Sequence, residues 1–204
     1  MKRIFIIGVA LLATTLFAGC DALIGFLAKD LEEEDFIIGK LYEDEYVAET
    51  PVAVKVETSH RGGSGSTTTN PLGLTYSPDD NAKLYSAIAS WIGVPYKYGG
   101  TTRDGIDCSS FVGQIYREVY GITLHRTAND MQQDVTLITR DKLHEGDLLF
   151  FTNSNGKVSH VGIYLKDGLF SHSSTSNGVC LSRLDNAYWS RHFYRGGRHK
   201  KVSR

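Results

Sequence analysis

The sequence predicts an α+β domain, helices packed on an antiparallel β-sheet, preceded by an N-terminal signal and a flexible tether. Helical apolar spacing comes first, before Gly93 and again after Asp107. From Gly146 onward the pattern switches to period two with turn residues between the runs. Helices followed by strands argue for α+β with an antiparallel sheet. Residues 77–204 hold all of this, one ordinary domain's length and enough for a single core.

The chain opens with Lys2 and Arg3, then an apolar run over residues 4–17 too short to span a bilayer comfortably. Phe17-Ala18-Gly19-Cys20 resembles a bacterial lipobox, in which lipid is attached to the cysteine and cleavage falls just before it. Residues 1–19 then form a lipoprotein signal peptide and Cys20 the lipidation site; an ordinary signal peptide with an incidental cysteine is the alternative. Either way the mature chain works outside the cytoplasm. Residues 20–76 read as a tether, with an acidic cluster at 30–35 and the linker-like Gly62-Gly63-Ser64-Gly65-Ser66. Lipidation of Cys20 leaves Cys108 and Cys180. A bridge between them would consume the candidate nucleophile, so Cys180 reads as a buried thiol. A net charge of −1 gives nucleic-acid binding no electrostatic support.

The domain starts with Ser77 as a helix cap, Pro78 at the first helical position, and Asp79 and Asp80 complementing the dipole. Ala82, Tyr85, Ile88 and Ala89 supply an apolar face, and Gly93 with Pro95 ends it. A second helix follows Gly105-Ile106-Asp107-Cys108-Ser109-Ser110, with Phe111, Val112, Ile115, Tyr116 and Val119 on one face and Gly121 at its stop. Cys108 sits in its first turn, where unpaired N–H groups and the helix dipole favour a thiolate and lower its pKa. The same amides suit an oxyanion. Taken alone, Asp-Cys-Ser-Ser fits a cysteine packed under a helix equally well.

Strands are expected at 148–151, 158–165, 169–173, 179–182 and 192–194. Of seven histidines, His160 and His172 fall on the central hairpin. A three-residue turn pairing Leu165 with Leu169 puts both on one face, diagonal at about 7–8 Å, with Gly162 leaving the space between them open. The two-residue Asp167-Gly168 turn, itself a strong hairpin signal, puts them on opposite faces. The first register, with the Cys108 helix packed on the histidine face, lets His160 take the thiol proton and His172 orient His160. Zinc is the rival, since one cysteine and two histidines could be three ligands; paired short-spaced ligands are absent, and no metal or other cofactor is expected. The remaining histidines read as surface or core side chains.

Pro95-Tyr96-Lys97-Tyr98-Gly99-Gly100, Gly105-Ile106-Asp107-Cys108-Ser109, Gly146-Asp147-Leu148-Leu149-Phe150-Phe151, Ser159-His160-Val161-Gly162-Ile163-Tyr164 and His172 together resemble the NlpC/P60 family of cell-wall cysteine peptidases. Leu124-His125-Arg126-Thr127 and Tyr188-Trp189 are similar to its Spr-type lipoprotein murein endopeptidases. The family usually has glycine where this chain has Ser110. The resemblance implies a papain-like NlpC/P60 fold, with Cys108 as nucleophile, His160 as base and His172 as the polar third member. It also implies Tyr96 (near the nucleophile), Asp107 and Ser109 as the substrate or oxyanion set, with a positioning role for Asp107; an aromatic packing role for Tyr96 is the alternative. The expected substrate is peptidoglycan peptides. The expected setting is the envelope, membrane-anchored through the N-terminal lipid, periplasm-facing and monomeric. A non-catalytic protein binding wall peptides, and a family-fold amidase or acyltransferase, are the competing readings.

Overall fold

The computed structural model describes residues 72–75, 77 and 79–202; Cys20, the signal and residues up to 71 of the tether lie outside them. Leu72, assigned above to the tether, is buried in the core. Helix α1 (Ala82–Trp91) is capped by Asn81, whose side chain accepts from the Leu84 N–H, and not by Ser77. Asp80 is the reason. Its carboxylate takes the Ser77 N–H and the Lys166 ammonium, so the chain turns there and the helix starts after it.

A short hairpin of β1 (Thr101–Thr102) and β2 (Gly105–Ile106) leads into α2 (Cys108–Tyr120). This helix has the predicted limits. Asp107 caps it by accepting from the Ser110 N–H at 2.7 Å, and Gly121 ends it at φ 66°, a left-handed residue that glycine adopts without strain. The sheet strands are β3 (Thr136–Ile138), β4 (Leu148–Thr152), β5 (Val158–Tyr164), β6 (Leu169–Ser174), β7 (Gly178–Arg183) and β8 (Phe193–Arg198), in spatial order β3-β8-β4-β5-β6-β7. Every pairing is antiparallel. The strand expected at His192 begins one residue later, because α3 (Ala187–His192) precedes it, capped by Asn186.

Pairing sorts the sheet into two faces. Phe150 lies opposite Val161 and joins Phe111, Val112 and Ile115 of α2 in the main core, with Ile163, Val179 and Leu181. Burial of each such side chain contributes about 1.5–3 kcal/mol. Phe151 lies opposite His160, on the other face, where Phe170 and Trp189 of α3 pack against it. The Cys108 helix therefore covers the face opposite the histidines, contrary to expectation. The apolar residues of β5 are Val161 and Ile163, and an apolar helix stripe must bury against them.

The hairpin between β5 and β6 reconciles the two competing turns. Ile163 pairs with Ser171 and Tyr164 with Phe170, the even register. Asp167 and Gly168 nevertheless form a tight turn, with φ 53° and 77° and a Leu169 N–H to Lys166 carbonyl bond. The positive φ pair is what a type I′ turn requires. The Leu165 N–H also bonds the Leu169 carbonyl, so Leu165 and Lys166 together face Leu169. That extra residue is a β-bulge, and it restores the register a two-residue turn alone would shift. A Cβ on Gly162 would meet Phe170 Cδ2 at 2.8 Å and the Ser171 carbonyl at 2.9 Å, so this glycine admits the Phe170 ring rather than leaving an open gap between imidazoles.

Candidate active site

Next to the turn β5 and β6 are paired; beyond Ile163 and Ser171 the two strands exchange no further pairs. The chain entering α2 occupies this split. Ser173 donates its hydroxyl to the Ile106 carbonyl at 2.7 Å, and the Val161 N–H donates to the Cys108 sulfur. The backbone amides of Cys108 and Ser109 also point at that sulfur. Cys108 thus reaches the His160–Val161 peptide although its helix lies on the opposite face.

On the histidine face His160 Nε2 and His172 Nδ1 are 3.1 Å apart. The rings meet edge to face with centroids 5.0 Å apart, as the even register predicts. His172 Nε2 continues to the Ser182 hydroxyl at 2.9 Å, with the Cys180 sulfur at 3.6 Å. Trp189 stacks on His160 and stands edge-on to His172, while Phe170 stacks on His172. His172 is fully buried. His160 makes its hydrogen bond through Nε2, so Nδ1 is the nitrogen left for a thiol proton.

Electrostatics here differ from the sequence expectation. Burial, reinforced by Asp107, pushes the Cys108 thiol up to about 11, outweighing the three amides that lower it. Burial also pushes His160 down to about 4, and holds His172 well below its ordinary value. Cysteine and histidine therefore rest as a neutral pair. The helix dipole alone suggested a thiolate, but the sulfur lies in a sheet split shielded from water.

Asp107 and Ser109 are both buried. Asp107 Oδ1 accepts from the Ser109 hydroxyl at 2.9 Å, and Arg126 clamps both residues. Arg126 Nη2 reaches Asp107 Oδ2 at 2.5 Å, and Nη1 reaches Asp107 Oδ1 at 3.2 Å and Ser109 Oγ at 2.9 Å. Burial would raise the Asp107 carboxyl, but Arg126, the Ser110 N–H and Ser109 together hold it below the usual range. Tyr96 pairs through its backbone with Ile106, and burial, then Cys108 and Asp107, raise its hydroxyl above the ordinary value.

Cys180 is buried and, like Cys108, outside any disulfide. His125, exposed, pairs with Asp134, and His192 bonds the Tyr188 carbonyl, both off the site. The two imidazoles face each other through Nε2 and Nδ1. Among the described residues no three or more His, Cys, Asp and Glu side chains converge as a metal site. Arg126, Trp189 and Ser182 received no site role from the sequence. The tracts containing Arg126 and Trp189 were visible only as family likeness, and Ser182 is an ordinary small residue in a strand.

Residues 93–198 match the NlpC/P60 family and include the whole of this arrangement. The chain belongs to the NlpC/P60 family. It is 43% identical over 118 residues to the probable endopeptidase NlpC of Escherichia coli, covering 57% of this chain and 77% of that one. It is 38% identical over 121 residues to the Escherichia coli protein named murein DD-endopeptidase MepS/murein LD-carboxypeptidase, covering 59% and 63%. Among solved structures, an NlpC/P60 family protein from Bacillus cereus superposes with a TM-score of 0.55 at 29% identity, over 58% of this chain and 40% of that one. The NlpC/P60 domain of the peptidoglycan hydrolase SagA does so at 0.51 and 25%, over 58% and 98%. This NlpC/P60 chain carries Ser110, where the family usually has glycine, without disturbing α2; the Ser110 hydroxyl is buried with no hydrogen-bond partner.

Proposed function

We propose that this chain is a cysteine peptidase that hydrolyses peptide bonds of peptidoglycan. The observation that supports it best is the Cys108 sulfur threaded through the sheet split to the His160 peptide, with His160 backed by His172. Cys108 Sγ attacks the carbonyl carbon of the scissile bond while its proton passes to His160 Nδ1. Because thiol and imidazole rest neutral, proton transfer accompanies attack instead of preceding it. The oxyanion forms beside the amides at the start of α2 and the Tyr96 hydroxyl. The carbon–nitrogen bond then breaks, and His160 returns the proton to the leaving amine, leaving a thioester on Cys108. Water attacks the thioester, giving its proton to His160; the acid leaves and the proton returns to the thiol. Asp107, Ser109 and Arg126 fix the start of α2 so that the sulfur stays at the split.

The wall substrate follows from the relatives' names, the membrane setting from the N-terminal sequence. Residues 1–19 act as the lipoprotein signal and those before Leu72 as tether, with Leu72 and Thr75 joining the catalytic domain, and lipid on Cys20 holds a monomer in the envelope facing the periplasm. Digestion of purified sacculi followed by mass spectrometry of the muropeptides tests the activity. New peptide termini are expected with the wild-type chain and none with Cys108→Ala. Binding without cleavage, or cleavage that persists in Cys108→Ala, overturns it. Metabolic lipid labelling lost on Cys20→Ala tests the anchor, and labelling that persists rejects it.

A further inference from the structure

We propose that Ser182 is a positioning residue that fixes the proton arrangement of the histidine pair, by accepting a hydrogen bond from His172 Nε2. This rests on His160 being the base for Cys108.

His160 has two nitrogens, and Nε2 is bonded to His172 Nδ1 at 3.1 Å. To accept the thiol proton, Nδ1 must carry a lone pair, so the His160 proton must sit on Nε2 and point at His172. His172 Nδ1 then has to be the acceptor, which leaves the His172 proton on Nε2. That N–H has an oxygen in reach, Ser182 Oγ at 2.9 Å. Its other polar neighbour is the Cys180 sulfur at 3.6 Å, a weak acceptor. The ring's flanks are aromatic, Phe170 on one side and Trp189 at an angle. His172 is fully buried, so water cannot replace the hydroxyl.

The opposite arrangement has every bond reversed. With the proton on His172 Nδ1, the His160 Nε2 must accept, and the His160 proton moves to Nδ1, the nitrogen that has to take the thiol proton. A thiol cannot give its proton to that nitrogen. During attack the proton leaving Cys108 stops on His160, which becomes imidazolium while both of its N–H groups keep acceptors. His172 stays neutral throughout and Ser182 gives up no proton.

The strand register places Ser182 for this role. His172 lies opposite Cys180 and Phe170 opposite Ser182, so all four share a face and Ser182 is diagonal to His172. Ser182 touches no reacting atom, and its effect passes through two rings.

The test uses the full chain as wild type, Ser182→Ala and Ser182→Thr, with ¹⁵N-labelled histidine. In the wild type the ¹⁵N shifts should show His172 protonated at Nε2 and His160 at Nε2. Ser182→Ala should lose about ten- to a hundredfold in kcat/KM, through kcat, as expected for a base held partly in the wrong tautomer. The His172 shifts should move toward the Nδ1 form, and Ser182→Thr should recover most of the rate. A wild-type His172 protonated at Nδ1 overturns the proposal whether or not any variant folds. So does a Ser182→Ala enzyme that melts like the wild type and keeps its kcat. His160→Ala separates the two claims: unchanged hydrolysis in it rejects the catalytic reading itself, whereas its loss beside an unaffected Ser182→Ala rejects only the role of Ser182.

Discussion

Replacing Arg126 with methionine removes the clamp at the start of α2 while keeping most of the side chain's length. Three bonds go, the two to Asp107 at 2.5 and 3.2 Å and the one to Ser109 at 2.9 Å. The Asp107 side chain is 8% exposed and that of Arg126 52%. Breaking a fully buried pair costs about 3–5 kcal/mol, and a half-exposed arginine lowers that through solvent screening. Asp107 also keeps the Ser110 N–H and the Ser109 hydroxyl. A loss of about 2 kcal/mol follows, and for a domain of this size about 6–10 °C in Tm. The sign with pH is fixed. Asp107 is held below its ordinary pKa, so its contribution is present above about pH 4 and is lost as pH falls through the folded value. In Arg126→Met burial acts with less opposition and the carboxyl rises, so the gap between variant and wild type should be largest near neutrality and narrow in acid. Urea denaturation at pH 7.5 and pH 4, in a double-mutant cycle with Asp107→Asn, measures both features. The double variant should be less destabilised than the sum of the single ones by about 1 kcal/mol or more. Additive losses, or a gap equal at the two pH values, would refute the clamp.

The resting neutral pair predicts that site-resolved alkylation of Cys108 by iodoacetamide rises about tenfold per pH unit from pH 7 to 10, because a thiol at about 11 is mostly protonated there. A plateau below pH 7 would indicate a preformed thiolate instead. Both site histidines are kept neutral by burial, His160 down to about 4, so the unfolded chain takes up protons first. Stability should be full above about pH 6.5 and fall as pH drops toward the folded values, and His172→Asn should flatten that slope in urea titrations. Ser110→Ala removes a buried hydroxyl that has no partner and improves helix propensity, so it should raise stability by about 1 kcal/mol with hydrolysis unchanged; a destabilised variant would show that the hydroxyl is satisfied.

What was legible in the sequence was local. Asp107, the stripe from Phe111 to Tyr116 and Gly121 specify α2 within one short stretch, and each does what its chemistry predicts. The wrong cap for α1 has a non-local cause, since Asp80 is held by Lys166 from 86 residues further along the chain. Arg126 was unreadable for the same reason. Its partners belong to another element, and no periodicity connects an arginine in a loop to an aspartate at a helix start. The thiol pKa failed differently. Helix-start amides are visible in sequence, but the burial that overrides them depends on how the sheet closes around the sulfur.

The hairpin shows how far local and global preferences can conflict and still both be met. Asp167-Gly168 calls for a two-residue turn, which by itself sets the odd register and turns His172 away from His160. The turn forms, and Lys166 is added to one strand as a bulge. Two tertiary contacts hold that residue, its ammonium reaching the Thr75 carbonyl and Asp80 Oδ2. The face on which His172 stands thus depends on a lysine that touches neither histidine. The helix mismatch resolves in a similar way. Apolar residues fix α2 to one face of β5 and the imidazoles lie on the other, so Cys108 reaches the strand of His160 only where β5 and β6 part. At the split the Ser173 hydroxyl and the Val161 amide bind the incoming chain at Ile106 and Cys108. The gap in the ladder is therefore filled by the segment that carries Cys108, and the Val161 N–H that would be orphaned in an empty split holds the sulfur at the His160–Val161 peptide.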